Sequence, residues 1–147
     1  MTQFPEAPVL APTSSADTRR LLECHRTEVS LFFGLYRVEV TLRAGFFTDG
    51  ASVPRELWNI AGSPWAMPRL LAAIVHDALY QMRWKCRWLC DRIYRAVALQ
   101  AGVPREAVDI EYAAIRAAGW KNWYAVTEED RETAARYVTI TTKGLLA

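Results

Sequence analysis

A chain of 147 residues is long enough for one ordinary domain and too short for two comfortable ones. With 52% hydrophobic residues it can build a real core, while 18 basic against 16 acidic residues leave a formal charge of +2, too balanced to argue for nucleic acid. No apolar run approaches the roughly 18 residues a membrane span needs, because Arg69, His76 and Asp77 break the best candidate.

Met1 to Asp17 carries Pro5, Pro8 and Pro12 among Thr, Ser and Ala, a composition that resists helix and predicts an extended arm, 1–17, ahead of one domain, 18–147. Such arms often lie along a neighbour in an assembly. The arm lacks the basic start and apolar block of a secretory signal, so the expected location is the host cytoplasm or a particle assembled there. From Leu22 to Leu42 the pattern is strand-like. Thr27, Val29, Leu31 and Phe33 alternate with polar or outward positions, Gly34 permits a turn, and Tyr36, Val38, Val40 and Leu42 alternate with Arg37, Glu39, Thr41 and Arg43. This predicts a hairpin delivering the chain to a polar loop.

In that loop, Thr48 to Arg55, the side chains of Thr48, Asp49 and Ser52 can bond neighbouring backbone amides, Gly50 allows a positive φ, and Pro54 starts a helical turn through Leu57 and Trp58. Ser63 and Pro68 then mark the start of a helix running to about Met82. Leu70, Leu71, Ile74, Val75, Ala78 and Leu79 give it a broad apolar surface, whereas Ala73, His76, Asp77 and Tyr80 stand three or four apart and share another face. A second helix is expected over about Lys85 to Gln100, with Leu89, Ile93 and Val97 in the core. The connection near Arg83 is so short that the two helices must be antiparallel neighbours, which lets Asp91 approach His76 and Tyr80. A third helix is expected from Pro104 to Ala118, an aromatic cluster at Trp120, Trp123 and Tyr124, a last short helix capped by Thr127 and Asp130, and a closing strand over Tyr137 to Thr142 that joins the hairpin. The fold class expected is α+β, a small antiparallel sheet of hairpin plus C-terminal strand on three to four helices.

Chemistry concentrates between Gly45 and Asp91. Asp49, His76, Asp77 and Asp91 lie amid Trp, Leu, Ile and Ala, and ionisable groups in such company are usually paired or functional, since burying them unpaired costs several kcal/mol. Two assignments compete: a hydrogen-bond network fixing the loop to the helices, with Asp49 capping its turn, or a catalytic site. Arg83, Lys85, Arg87, Arg92 and Arg95 surround Trp84 and Trp88, a basic aromatic strip able to grip phosphate or lipid headgroups, or simply a solvated helix face. Cys24, Cys86 and Cys90 form no even disulfide framework. Cys86 and Cys90, four apart, suit two metal ligands that His25 and Cys24 would complete, but buried reduced thiols explain them more simply.

Gly45 to Arg55, then Leu57-Trp58, then His76-Asp77-Ala78-Leu79-Tyr80, then Asp91 resembles, in that order, the signature of a small family of phage and prophage proteins without established activity. The likeness runs from about Leu35 to Gly119, and Gly50 stands where a larger, often aromatic residue is expected. The resemblance implies a phage-encoded protein near tail and lysis functions. Separately, His76, Asp77 and Tyr80 are similar to the His-Asp pair and trailing Tyr of secreted and viral-capsid phospholipases A2, and Asp91 resembles the carboxylate that orients their catalytic His. That resemblance implies His76 as base, Asp77 as calcium ligand, and Tyr80 with Asp91 as support; Asp49 is a further candidate metal ligand if its loop turns it toward His76. The chain departs from it in lacking the bracing disulfides and a Tyr-x-Gly-x-Gly loop.

The expected function is a virion or tail accessory protein that binds other phage structural proteins through its arm and through Trp84, Trp88, Trp120 and Trp123. The alternative is a hydrolase of lipid or cell wall with His76 as general base. The cofactor expected is Ca2+ or none.

Overall fold

A computed structural model gives the protein's architecture and describes residues 8–13, 18–48 and 68–144. Among these, six strands and five helices follow in the order β1 (Leu10–Pro12), β2 (Arg19–Leu21), β3 (His25–Leu31), β4 (Tyr36–Leu42), β5 (Phe47–Thr48), α1 (Arg69–Gln81), α2 (Arg87–Ala101), α3 (Arg105–Ala118), α4 (Trp120–Ala125), α5 (Glu128–Ala135) and β6 (Val138–Gly144). The α+β class read from the sequence is the one observed.

The expected three-stranded sheet forms in the order β3-β4-β6, antiparallel throughout. Its register sets Val29 opposite Val38, Leu31 opposite Tyr36, Val40 opposite Ile140 and Leu42 opposite Val138. The pleat therefore sends one apolar set into the core and leaves charges outside. On the outer face Glu28 sits opposite Glu39, and diagonal pairs with Arg37 (3.9 Å) and Arg26 (3.6 Å) offset that repulsion. The alternation seen in the sequence runs through Phe33, but the strand stops at Leu31. Phe32 and Phe33 both take left-handed φ (52° and 58°), and the turn closes with Gly34 N donating to Leu31 O, which leaves Phe33 wholly in solvent.

A second small sheet, β1-β2-β5, was not visible in the pattern. Its strands are two or three residues long, too short for alternation to register. Part of the Pro-rich arm builds it: Leu10–Pro12 is extended, and it pairs with Arg19–Leu21. The link from β4 to β5 passes through Gly45, whose φ of +100° and whose distance to Tyr137 (an added Cβ would sit 2.8 Å from its ring) both demand glycine. This link places Phe47 beside α1, where Gln81 Nε2 donates to Phe47 O at 3.0 Å.

One continuous core joins the larger sheet to the helices, with Tyr36, Val38, Leu71, Ile74, Leu79, Ile93, Tyr94 and Ile115 all buried. Helix α2 lies across β3, and Gln100 Nε2 donates to Glu28 O at 3.0 Å. Thr127 and Asp130 form the expected capping box at the head of α5. Among the described residues no helix is long and apolar enough to cross a membrane.

Candidate active site

Helices α1 and α2 meet through a turn in which Arg83 and Lys85 take left-handed φ (44° and 51°). Trp84 N closes back on Leu79 O at 3.0 Å, so the hairpin is tight and its helices run antiparallel. The stripe on α1 thereby faces α2, and His76 Nε2 lies 2.7 Å from Asp91 Oδ1 with both side chains buried. Tyr80 Oη donates to the same oxygen at 2.6 Å. On the other carboxylate oxygen, Arg116 Nη1 donates from α3 at 2.6 Å and Arg87 Nη1 from within α2 at 3.4 Å. Arg87 is itself anchored by the carbonyls of Ile115 and Arg116.

Burial and these contacts bias the charge states. Burial opposes the Asp91 charge, but hydrogen bonds from His76, Tyr80 and Arg116 outweigh it and hold the carboxyl below its ordinary range. Burial likewise lowers His76 below the usual imidazole range, against the pull of Asp91. At neutral pH the pair is thus carboxylate and neutral imidazole. An ionised carboxylate can only accept, so His76 Nε2 carries the proton and Nδ1 the lone pair. Tyr80 is pushed well up, by burial and then by its bond to Asp91, and stays a phenol.

The imidazole is packed on two sides, with Tyr80 at 4.1 Å and Tyr94 edge-on at 5.4 Å between ring centres. His76 also lines a cleft of about 510 Å³, within the roughly 300–1,000 Å³ of small-molecule sites. Phe47, Ile115, Ala125 and Val126 supply apolar wall; Asp77, Gln81, Asn122, Glu129 and Asp130 supply polar rim. Gly119 belongs to the same wall. A Cβ there would lie 2.7 Å from Tyr80 Oη and 2.6 Å from Ile115 O, so glycine lets α3 end against the Tyr80 hydroxyl.

The structure therefore brings together His76, Tyr80 and Asp91, with Asp77 at the cleft beside Gln81 (3.2 Å). Thr48 is buried in β5. Asp49, Gly50, Ser52 and Arg55 lie outside the described residues, as do Leu57, Trp58 and Ser63. Trp88 and Trp120 are about half exposed and Trp84 is partly buried. Trp123, expected at an interaction surface, is instead buried edge-on to Tyr80 at 5.2 Å, because α4 folds back over α1. Arg87, expected in the basic strip, turns inward to Asp91; the i,i+4 spacing carried that signal. Arg116 was missed, and nothing local marks a partner 25 residues away.

Cys24 and Cys86 are exposed. Cys90 is buried, its thiol raised by desolvation and donating to Trp84 O at 3.1 Å, so it behaves as an inert core residue. Among the described residues no group of three or more His, Cys, Asp or Glu is placed to hold a metal ion.

A family profile described as "Protein of unknown function (DUF1353)" matches residues 32–115, a span that contains His76, Tyr80 and Asp91. Among curated proteins the chain is similar to "Uncharacterized protein y4iH" of Sinorhizobium fredii (strain NBRC 101917 / NGR234), with 27% identity over 106 residues, 65% of this chain and 40% of that protein. The chain thus matches well under two thirds of that relative's length. No solved structure matches.

Proposed function

The chain belongs to this family of unknown function, so no activity comes with the kinship, and we propose from its own geometry that it is a hydrolase using His76 as general base. The observation that carries the proposal is a neutral, Asp91-oriented imidazole on the wall of a cleft. His76 is buried and at the same time lines a cavity with mixed polar and apolar walls. Asp91 fixes the ring and its tautomer, Tyr80 shares Asp91 Oδ1, and Arg116 with Arg87 keeps the carboxyl ionised. The cluster thus has the order base, orienting acid, charge clamp.

In the proposed step Nδ1 takes a proton from a water as its oxygen adds to the carbonyl carbon of a bound ester or amide. The tetrahedral species then expels the alcohol or amine, which leaves with the proton from the imidazolium, so acid and leaving group are released and His76 returns neutral. Asn122 lines the same wall, and a side-chain amide is a donor of the type suited to the developing oxyanion. Lipid and cell-wall substrates both supply such a carbonyl. Asp77, which the phospholipase resemblance implies for calcium, stands at the cleft, and Asp49, the other candidate metal ligand, lies outside the described residues.

The test is His76→Ala, assayed on lipid and peptidoglycan substrates with a melting curve alongside. A fall of about 10²–10⁴ in cleavage rate with the fold retained is expected. Unchanged cleavage, or no cleavage by the wild-type chain, overturns the proposal. A second reading, an accessory protein of a phage particle, is favoured by Trp120 and Tyr124, both exposed on α4. Purified particles lacking the protein despite its expression would contradict it.

A further inference from the structure

Away from the cleft, the tip of the β3-β4 hairpin meets the start of α2. Phe32 stacks on Trp88 with ring centres 6.1 Å apart and planes 14° from parallel. Next to it Phe33 is fully exposed, Leu35 and Trp88 are about half exposed, and all four form an apolar crest. The crest is maintained against backbone preference. Two successive aromatic residues hold left-handed φ, a region in which bulky side chains are rare, where Asn or Gly would fit without strain.

The two stretches that build the crest carry cations and no acid of their own, although Arg37 on the hairpin pairs with Glu28 at 3.9 Å. Neither Val29 to Val38 nor Ala78 to Cys90 contains an Asp or Glu, in a chain with 16 of them. Arg83, Lys85 and Arg92 join no ion pair among the described residues, and each instead lies over an aromatic ring: Arg92 over Trp88 at 5.9 Å, Lys85 over Trp84 at 5.6 Å, Arg83 over Trp123 at 5.4 Å. Some cations elsewhere are neutralised, Arg95 by Asp109 at 2.9 Å and Arg131 by Glu128 at 2.9 Å, while Arg20 and Lys121 also lie over rings.

We propose that this crest, with Phe33 at its tip and Lys85 and Arg92 at its flank, docks the protein on the surface of an anionic lipid bilayer. Exposed Phe and Leu enter the headgroup boundary, Trp88 sits at its polar level, and the unpaired cations meet lipid phosphates. The patch is a few side chains at a hairpin tip, rimmed by unpaired cations, which suits an anionic lipid surface better than the closely fitted face of a protein partner. The proposal stands on residues separate from the cleft and holds whether or not His76 is catalytic.

Sedimentation of the full chain with vesicles tests it, comparing phosphatidylcholine alone with mixtures containing phosphatidylglycerol. Binding is expected to the anionic vesicles only and to weaken as salt rises. Phe33→Asn should reduce it by about tenfold or more while leaving the melting temperature unchanged or higher, since Asn accepts left-handed φ. Leu35→Ser, at another exposed position, makes the same test independently, and a double Lys85→Ser, Arg92→Ser variant should lose the preference for anionic lipid. Failure to bind anionic vesicles at low salt overturns the proposal, including when an acidic protein is bound instead. So does binding undiminished in both Phe33→Asn and Leu35→Ser.

Discussion

Two buried carboxylates, Asp91 and Glu111, flank the same aromatic stack and are built from similar parts. Each is fully shielded from solvent, each accepts a tyrosine hydroxyl (Tyr80 at 2.6 Å, Tyr94 at 2.8 Å), and each is paired with arginine: Arg116 and Arg87 for the first, Arg69 for the second. Tyr94 touches His76 edge-on from the Glu111 side. The difference is that Asp91 also holds an imidazole, and that this imidazole lines a cleft. Glu111 therefore displays what the fold uses to tie α1, α2 and α3 together, and Asp91 displays the same device with a proton acceptor added. A satisfied ion network accounts for Glu111, and His76 adds to such a network a ring that lines the cleft.

The sharpest way to break the comparison is to remove each acid. Asp91→Ala strands Arg116, Arg87 and Tyr80, and Glu111→Ala strands Arg69 and Tyr94. Removing one partner of a buried pair costs about 3–5 kcal/mol, and both variants should fall near the lower end because the arginines reach solvent. Chemical denaturation measures that loss. The two should then part company in an assay below their melting temperatures: Asp91→Ala loses cleavage because the ring loses its orientation, whereas Glu111→Ala keeps it within a few fold. Equal loss of activity in both would make Asp91 a second scaffold pair.

A smaller effect sharpens the same contrast. Gly119→Ala pushes a methyl into Tyr80 Oη and Ile115 O, with no comparable intrusion on Glu111. About 1–3 kcal/mol of stability should be lost by overpacking, together with part of the activity, through displacement of Tyr80 from Asp91. Thermal melts of the variant beside wild type check the first, and the cleavage assay checks the second.

How much of this was legible before any coordinates turns on range. The β3-β4 hairpin and its β6 partner could be read because Tyr36, Val38, Val40 and Leu42 alternate over seven residues, enough for a period of two to declare itself. The α1-α2 hairpin followed from helical spacing and a short turn, and with it the meeting of His76, Tyr80 and Asp91. The β1-β2-β5 sheet was hidden by strands too brief to carry a pattern, one of them inside a proline-rich stretch. Arg116 and Glu111 were hidden for another reason. On an amphipathic helix an inward-facing charge looks like any other polar position until the partner helix is placed against it.

Whether His76 is a neutral base at work in the cleft is read by titrating its ring, with nitrogen and ring-proton magnetic resonance across pH. The chain has only two histidines, so His25 is the sole competing signal. Because burial lowers the folded pKa, the ring should stay neutral on acidification past about 6.5, the ordinary value, and take its proton only below it. In that window the unfolded chain binds more protons than the native one, so the His76 contribution to stability is present above about 6.5 and fades as pH falls through the folded value. A neutral ring with the proton on Nε2 and an unprotonated Nδ1 is expected at pH 7. An imidazolium at that pH, or the proton on Nδ1, would contradict it.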